Sequence, residues 1–406
     1  MNEFGGPPFK TNGSPQKNVE PIVDQHTDKL LIDIEGAKTA FGELSVAQFQ
    51  PQAGWIFAYN LNPSVILFTE LFGGTVTHNG SFAELTTGTD PNAVAFVRTQ
   101  RSLTYAPGIG ALARFTATFD TPQENSLQLI GIINNTDGWA FGYNGLNFGI
   151  VRRRNGVDEW FYQEDWTENT YPTLNQQKGN VFEIKYQWLG FGMQYFGIEN
   201  DNGDIETVHR IKYANLNDDV SISNPSLPIA AGVANQGNTT SITLKTPSAV
   251  AGLEGPAFSP VFETLIAYER IVTIGAGETY LFGLNSPDQW LGKENRLYVL
   301  PKLFTFATDG NKPVIIRVYA MPTITTPTWV DIAENISPLQ YDQVGTWVPN
   351  GEQQVFTYAL GRADNAQVDL SIIDAEVLPN QMYAVTAETT SAGMDLVVGL
   401  NFKSRT

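Results

Sequence analysis

The stretch DGWAFGYNG, residues 137–145, carries three aromatic side chains at alternate positions between an Asp-Gly and an Asn-Gly pair. Successive side chains of an extended strand point to opposite faces, so Trp139, Phe141 and Tyr143 share one face. The other face carries only alanine and glycine. Such a strand either fills the core of a sheet protein or offers an aromatic platform to a ligand. We predict that the rings face the core, because the flanking residues supply no polar groups to orient a sugar.

The same alternation recurs along the chain, and turn signals separate the alternating segments. ALARFTATF, residues 111–119, and VFEIKYQWL, residues 181–189, both place apolar side chains at every second position. Asn-Gly pairs begin at positions 79, 144, 155, 202 and 350, and Asp-Gly pairs at 137 and 309. Such pairs favour tight hairpins. The pattern predicts an all-β protein built as an antiparallel β-sandwich, of jelly-roll or lectin-like type.

The composition supports this fold class. Charged residues make up 16% of the 406 residues, against roughly 25% in typical soluble domains. Glycine and aromatic residues are plentiful, which disfavours long helices. A hydrophobic fraction of 42% is sufficient for a folded core.

Three segments are predicted along the chain. Residues 1–40 are polar and rich in glycine and proline, which predicts an extended N-terminal arm. Residues 41–250 are predicted to form the β-sandwich, because the small residues and prolines of TPSAVAGLEGPAFSP, residues 246–260, interrupt the pattern. Residues 251–406 are predicted to form a second, smaller β-sandwich domain. Its clearest predicted strands are 314–319, 368–373, 383–389 and 394–402.

The charge of the chain excludes some partners. There are 24 basic and 42 acidic residues, for a net charge of −18, so a nucleic-acid partner is not expected. The single basic cluster, Arg152-Arg153-Arg154, is interpreted as a solvated strand end. No apolar run reaches about 18 residues, so neither a membrane span nor a secretion signal is predicted.

Chemical motifs are scarce. The chain has no cysteine, and His26, His78 and His209 show no motif spacing. Asn200 to Asp204 fits a hairpin turn better than a calcium loop. We therefore expect no enzymatic activity, no catalytic or metal-binding residues and no cofactor.

One segment resembles a sugar cleft superficially. Acidic and aromatic residues alternate closely in VDEWFYQEDWTE, residues 157–168. The paired catalytic carboxylates of a glycosidase could lie in a segment where acidic and aromatic residues are this closely spaced. An exposed acidic loop is the simpler interpretation of the same pattern. We take Trp160, Tyr162 and Trp166 as candidate ligand or interface residues.

Three blocks of sequence carry a family resemblance: RSLTYAPGIGALARFTATF (101–119), IGIINNTDGWAFGYNGLNFGIVRRRNG (130–156) and FEIKYQWLGFGMQYFGIE (182–199). They resemble poorly characterised virion structural proteins of tailed bacteriophages and some large DNA viruses. The resemblance implies a structural component of the virus particle, in a tail, fibre, baseplate or capsid-decorating position. It implies other virion proteins as partners and a homo-oligomer. The alternative is a carbohydrate-binding receptor-recognition protein, or a glycan depolymerase, of a phage tail, with a host surface glycan as partner.

Overall fold

The structure is a computed structural model that describes residues 22–23, 30–31, 48–255, 263–373, 376–390 and 393–405. Over these ranges the regular elements are β-strands and the 3-10 helices Gln163–Asp165 and Leu370–Ile373, with no α-helix. The predicted all-β class is confirmed. No helix within these ranges is long and apolar enough to cross a membrane. Most of the predicted arm, residues 1–40, lies outside the described residues.

The strands up to residue 253 are β1 Ile22–Val23, β2 Leu30–Leu31, β3 Gln50–Ile56, β4 Ile66–Leu71, β5 Thr75–Asn79, β6 Phe82–Thr86, β7 Val94–Thr99, β8 Ala111–Ala117, β9 Ser126–Ile133, β10 Gly138–Asn144, β11 Asn147–Arg154, β12 Val157–Tyr162, β13 Asn180–Tyr186, β14 Gln194–Glu199, β15 Ile205–Ile211, β16 Ile229–Asn235, β17 Thr243–Thr246 and β18 Ser248–Leu253. The later strands are β19 Glu263–Ile274, β20 Gly277–Ser286, β21 Gln289–Trp290, β22 Lys293–Glu294, β23 Val299–Thr308, β24 Val314–Ala320, β25 Ile324–Thr325, β26 Val330–Asp331, β27 Gln340–Asp342, β28 Thr346–Trp347, β29 Gln353–Leu360, β30 Asn365–Asp369, β31 Gln381–Thr389 and β32 Met394–Arg405.

Two antiparallel sheets form the first sandwich. The front sheet has seven strands in the order β12-β11-β10-β9-β16-β7-β4. The back sheet has six strands in the order β15-β14-β13-β8-β18-β3. A single hydrophobic cluster with members from both sheets fills the space between them, as expected for a sandwich with alternating inward and outward side chains.

The DGWAFGYNG stretch forms β10, near the middle of the front sheet. Trp139 and Phe141 are fully buried and Tyr143 is 6% exposed, which confirms that the three rings face the core. The Trp139 ring centroid lies 4.8 Å from that of Tyr186, on the back sheet. Phe141 has the same centroid separation from Phe182, also on the back sheet. The aromatic strand therefore joins the two sheets.

The bare face of β10 and the turn that follows it also match the prediction. A Cβ added to Gly142 would lie 1.9 Å from the backbone oxygen of Gln128 on β9. The glycine thus permits close approach of the neighbouring strand. Gly145 has a φ of +59° and Gly156 a φ of +78°, so the two Asn-Gly pairs close the β10–β11 and β11–β12 hairpins.

Two further sheets form the second sandwich. One has four strands in the order β19-β32-β23-β30, and the other has six in the order β26-β27-β20-β31-β24-β29. A separate hydrophobic cluster lies between them. The predicted second β-sandwich is confirmed. On the first sandwich, β18 continues to Leu253, which pairs with Ala111, so this strand extends past the predicted boundary at residue 250.

One predicted strand is partly wrong. Residues 368–373 were expected to be extended, but β30 ends at Asp369 and residues 370–373 form a 3-10 helix. The Asp369 carboxylate accepts a hydrogen bond from the backbone N–H of Ser371 at 2.9 Å. This local bond competes with the sheet ladder and turns the chain.

Candidate functional site

The outer face of the front sheet, opposite the core, carries two aligned rows of side chains. The first row, from β12 to β4, is Trp160, Val151, Ala140, Gly131, Ala230, Arg98 and Leu67. The second row is Tyr162, Gly149, Gly142, Leu129, Gly232, Phe96 and Thr69. Small residues occupy most middle positions, and larger side chains stand at the two ends. The rows therefore form a shallow trough.

The floor of this trough is apolar. Leu129, Ile133, Ala140, Val151 and Ala230 form a hydrophobic cluster that is separate from the sandwich core. Partly buried aromatic and aliphatic side chains at the trough's edges pack against it. An antiparallel sheet that faces water usually carries polar residues on that face. Here the five floor residues are apolar and less than 9% exposed, so the middle of this face is covered and does not contact water.

Two of the predicted site residues form one wall of the trough. Trp160 and Tyr162 lie on the edge strand β12 and are half-buried. Their rings are stacked, with centroids 6.1 Å apart and an interplanar angle of 10°. The Asn144 side-chain amide donates a hydrogen bond to the Tyr162 hydroxyl at 3.2 Å. The structure thus brings these two residues together as a flat aromatic surface.

The third predicted site residue lies elsewhere. Trp166 is 5% exposed and belongs to the core of the first sandwich. Its ring centroid is 6.1 Å from those of Phe141 and Phe148, and its indole N–H donates to the backbone oxygen of Phe161 at 3.1 Å. Trp166 is therefore not part of the outer surface.

The acidic and basic side chains around β12 neutralise each other. Arg153 Nε lies 2.6 Å from the Asp158 carboxylate, and Arg152 pairs with Glu159. Arg152 also lies over the ring of Tyr213, 5.1 Å from its centroid. The arginine cluster forms the end of β11, as predicted, but its side chains are only 15%, 19% and 33% exposed because they pair with neighbouring carboxylates.

A polar cleft opens at the other end of the trough. It has a volume of about 660 Å³ and lies between the two sandwiches. Arg98 and Leu67, the last two members of the first row, line it. Five strand spacings of about 4.8 Å separate Arg98 from Trp160, or about 24 Å. The Trp160–Tyr162 pair and the cleft thus lie at opposite ends of the front sheet, with the buried middle of its outer face between them.

Arg296 ties the two sandwiches together at the cleft. Its side chain is 4% exposed, and its guanidinium donates to the backbone oxygens of Ser226 at 2.7 Å and Asn224 at 3.2 Å. It also lies 4.0 Å from the Asp137 carboxylate and 3.6 Å from that of Glu294. Burial lowers the pKa of Arg296 below its ordinary value, and the two carboxylates oppose this shift.

Three carboxylates of the cleft face arginines. Glu294 pairs with Arg98, Glu376 lies 2.8 Å from Arg101, and Asp137 is the buried neighbour of Arg296. Asp288 and Lys293 also line the cleft, together with amide and hydroxyl side chains that include Ser102, Asn135, Asn155, Gln289 and Asn380. Amides and hydroxyls both donate and accept hydrogen bonds, so together they suit an uncharged ligand rich in hydroxyl groups. The cleft volume lies in the usual range for ligand sites.

The cleft residues could not be predicted from the sequence, because they come from segments that are far apart in the chain. Arg98, Asp137 and Arg296 are brought together only when the two sandwiches meet. One signal was present in the opening stretch, since a charged Asp137 directly precedes an aromatic core strand. Its carboxylate accepts a hydrogen bond from the backbone N–H of Ser223 at 2.7 Å.

His209 gives the first sandwich a pH dependence. Its Nδ1 accepts a hydrogen bond from the Thr167 N–H at 3.2 Å, while its Nε2 is buried without a partner. Burial lowers the pKa of His209 from 6.5 to about 4, although Glu168 partly opposes this. The imidazole is therefore held neutral inside the fold.

We expect acid to destabilise the protein through this residue. Between pH 6.5 and 4, His209 binds a proton in the unfolded chain but not in the folded chain. The free energy of unfolding therefore falls as the pH falls through this window. At about 1.4 kcal/mol per pKa unit, the loss is about 3 kcal/mol. Urea unfolding of the wild type and of His209→Asn at several pH values measures it. An equally steep pH dependence in the variant would contradict the assignment.

Comparisons with known proteins do not assign the chain to a family. No family model matches the chain, and no curated protein sequence matches it. Several solved structures share part of its fold. The exoplasmic/lumenal domain of VIP36, bound to Ca²⁺ and Man3GlcNAc, is 8% identical, with a TM-score of 0.37 over 52% of this chain and 93% of that chain.

Two further solved structures are similar to a comparable extent. The carbohydrate recognition domain of Emp47p is 7% identical, with a TM-score of 0.34 over 50% of this chain and 96% of that chain. A pseudo beta-1,3-glucanase of Mycobacterium tuberculosis is 11% identical, with a TM-score of 0.36 over 50% and 98%. At TM-scores this low, the likenesses carry no argument about ligand or activity.

Proposed function

We propose that the protein recognises a neutral carbohydrate at the Trp160–Tyr162 pair of the first sandwich, with the amide-lined cleft between the two sandwiches as a second binding region. The observation that carries this proposal is the stacked Trp160–Tyr162 pair, which is half-buried on the edge strand of the front sheet. A sugar ring has an apolar face of C–H groups and a rim of hydroxyls. The first matches an aromatic surface, and the second matches amide and hydroxyl side chains.

We further propose that the ligand is bound without being cleaved. Glycoside hydrolysis needs one carboxyl group that gives up a proton and a second that acts as nucleophile or base. Along the two rows of the outer face there is no carboxylate. Of the four carboxylates that line the cleft, Asp137, Glu294 and Glu376 each face an arginine, and Asp288 is the fourth. This distribution supports a binding protein over a depolymerase.

The virion setting is a second, compatible proposal. It is supported by the three sequence blocks that resemble virion structural proteins of tailed bacteriophages. Large apolar side chains that project into solvent from the second sandwich, such as Leu265 and Ile271, favour assembly with other subunits. Labelling the purified particle with an antibody against this chain would test it. Absence of the chain from purified particles would refute it.

Trp160→Ala is expected to weaken carbohydrate binding about tenfold. Loss of one aromatic stacking surface removes about 1–1.5 kcal/mol, and each 1.4 kcal/mol is tenfold in Kd. The measurement is titration calorimetry of the full chain with neutral oligosaccharides chosen from a glycan array, with released reducing ends assayed in parallel.

Trp347→Ala is the matched control for that experiment. Trp347 also stacks on a tyrosine, Tyr319, at 5.0 Å and 25°, but on the second sandwich. Its removal should leave the affinity unchanged. Equal affinities for wild type and Trp160→Ala would exclude the trough as the site. Released reducing ends would overturn the proposal that the ligand is not cleaved.

A further inference from the structure

The second sandwich has an unusually long unpaired edge. β19 is 12 residues long and lies at the end of the four-stranded sheet, where its one strand partner within the described ranges is β32. The edge strands of the three largest sheets and the far edge of this sheet, β30, hold eight residues or fewer. Three of them, β3, β15 and β29, also carry a register shift against their neighbours.

β19 lacks most of the devices that usually protect an edge, although Glu269 is exposed and Arg270 lies on the inward face. Its sequence, ETLIAYERIVTI, contains no proline, glycine or lysine, and its pairing with β32 runs without a register shift. Leu265 is 73% exposed and Ile271 is 72% exposed, on the same outward face. Natural edges of this kind pair with another chain unless they are blocked.

Self-pairing of this edge is possible in only a few registers. Along an edge strand, the backbone N–H and C=O groups of every second residue point away from the sheet. When two copies of β19 pair antiparallel about a two-fold axis, these residues of one copy must lie opposite the corresponding residues of the other. The two-fold axis therefore passes through a residue, not between two residues. With the axis at Tyr268, Leu265 lies opposite the partner's Ile271 and Ile271 lies opposite the partner's Leu265. Ala267 then lies opposite the partner's Glu269.

The neighbouring registers are poorer. An axis at Glu269 places this carboxylate opposite its own copy, and an axis at Arg270 does the same for the guanidinium. Like charges directly opposite each other destabilise a sheet. An axis at Ala267 places Leu265 opposite the partner's Glu269. Only the Tyr268 register pairs the two exposed aliphatic side chains with each other.

We propose that two copies of this chain associate through β19, antiparallel and centred on Tyr268. The two four-stranded sheets then form one continuous eight-stranded sheet. Such an isologous contact closes as a dimer and does not propagate. The proposal is independent of the carbohydrate site, because no residue of β19 lines the cleft or belongs to the front sheet.

Cysteine cross-linking tests the register directly, because the chain has no cysteine of its own. Leu265→Cys and Ile271→Cys are purified separately, mixed and oxidised. Directly opposed residues have Cα atoms about 4.5–5.5 Å apart, within the range that a disulfide spans. We expect at least tenfold more mixed dimer than in two controls, Leu265→Cys with Thr273→Cys and Leu265→Cys with Glu269→Cys. Equal or higher yield in a control would overturn the register.

Sedimentation of the full chain tests the association itself. Ile271→Lys should raise the dimer Kd at least tenfold, because the new charge faces the partner's Leu265. Ile271 is largely exposed, so the variant should keep the wild-type melting temperature. A wild-type chain that stays monomeric at all concentrations, or an unchanged Kd in the variant, would refute the proposal.

Discussion

Trp139→Ala is expected to lower the free energy of unfolding of the first sandwich by about 3–5 kcal/mol. The indole is fully buried between the two sheets, in contact with the Tyr186 ring. Truncation removes its apolar contacts and leaves a cavity that the rigid sheets cannot close. The melting temperature should fall by roughly 6–20 °C, as measured by calorimetry and urea unfolding.

Two variants sharpen this experiment. Trp160→Ala removes a half-buried tryptophan from the same sheet, and it should cost less than about 1.5 kcal/mol of stability. Trp139→Phe should cost less than Trp139→Ala, because it keeps a ring and removes an indole N–H that is buried without a partner. If Trp139→Ala were no more destabilising than Trp160→Ala, the core role of the opening stretch would be wrong.

Arg296→Met is expected to cost about 3–5 kcal/mol, because it leaves the buried Asp137 carboxylate without its cation. It also removes the hydrogen bonds from the guanidinium to the backbone oxygens of Asn224 and Ser226 on the first sandwich. We expect the two sandwiches to unfold less cooperatively. Scanning calorimetry should show a broadened or divided transition.

The control for Arg296→Met is Arg101→Met. Arg101 pairs with Glu376 at 2.8 Å, also between the sandwiches, but its side chain is 53% exposed. An exposed ion pair contributes about 0–1 kcal/mol. Adding Asp137→Asn to Arg296→Met should restore part of the stability by removing the unpaired charge. Equal losses in the two single variants would show that burial of Arg296 does not decide the effect.

Local periodicity was sufficient to predict much of the fold. The aromatic face of β10, the close approach at Gly142 and the hairpin at Asn144-Gly145 each depend on residues next to one another in sequence. The side-chain period of a strand and the positive φ of glycine act over two to four residues. The sequence therefore predicted these features, and with them the all-β class.

The sequence could not assign the aromatic residues of the acidic segment to a face. Trp160 and Trp166 lie in the same short stretch, yet one stands on the outer trough and the other in the core. The 3-10 helix Gln163–Asp165 separates them and breaks the strand period. Position along the chain then no longer predicts which way a side chain points.

The sequence by itself determined which residues of a regular strand share a face, because that depends on a period of two along one segment. Only the tertiary structure decided the candidate site. The row from Trp160 to Arg98 depends on the order and register of six strands, and the cleft depends on Arg296 meeting Asp137, which is 159 positions away in the chain. Such contacts form when hydrophobic burial and ion pairing between distant segments stabilise one packing of the two sandwiches over others. No local sequence pattern predicts that packing.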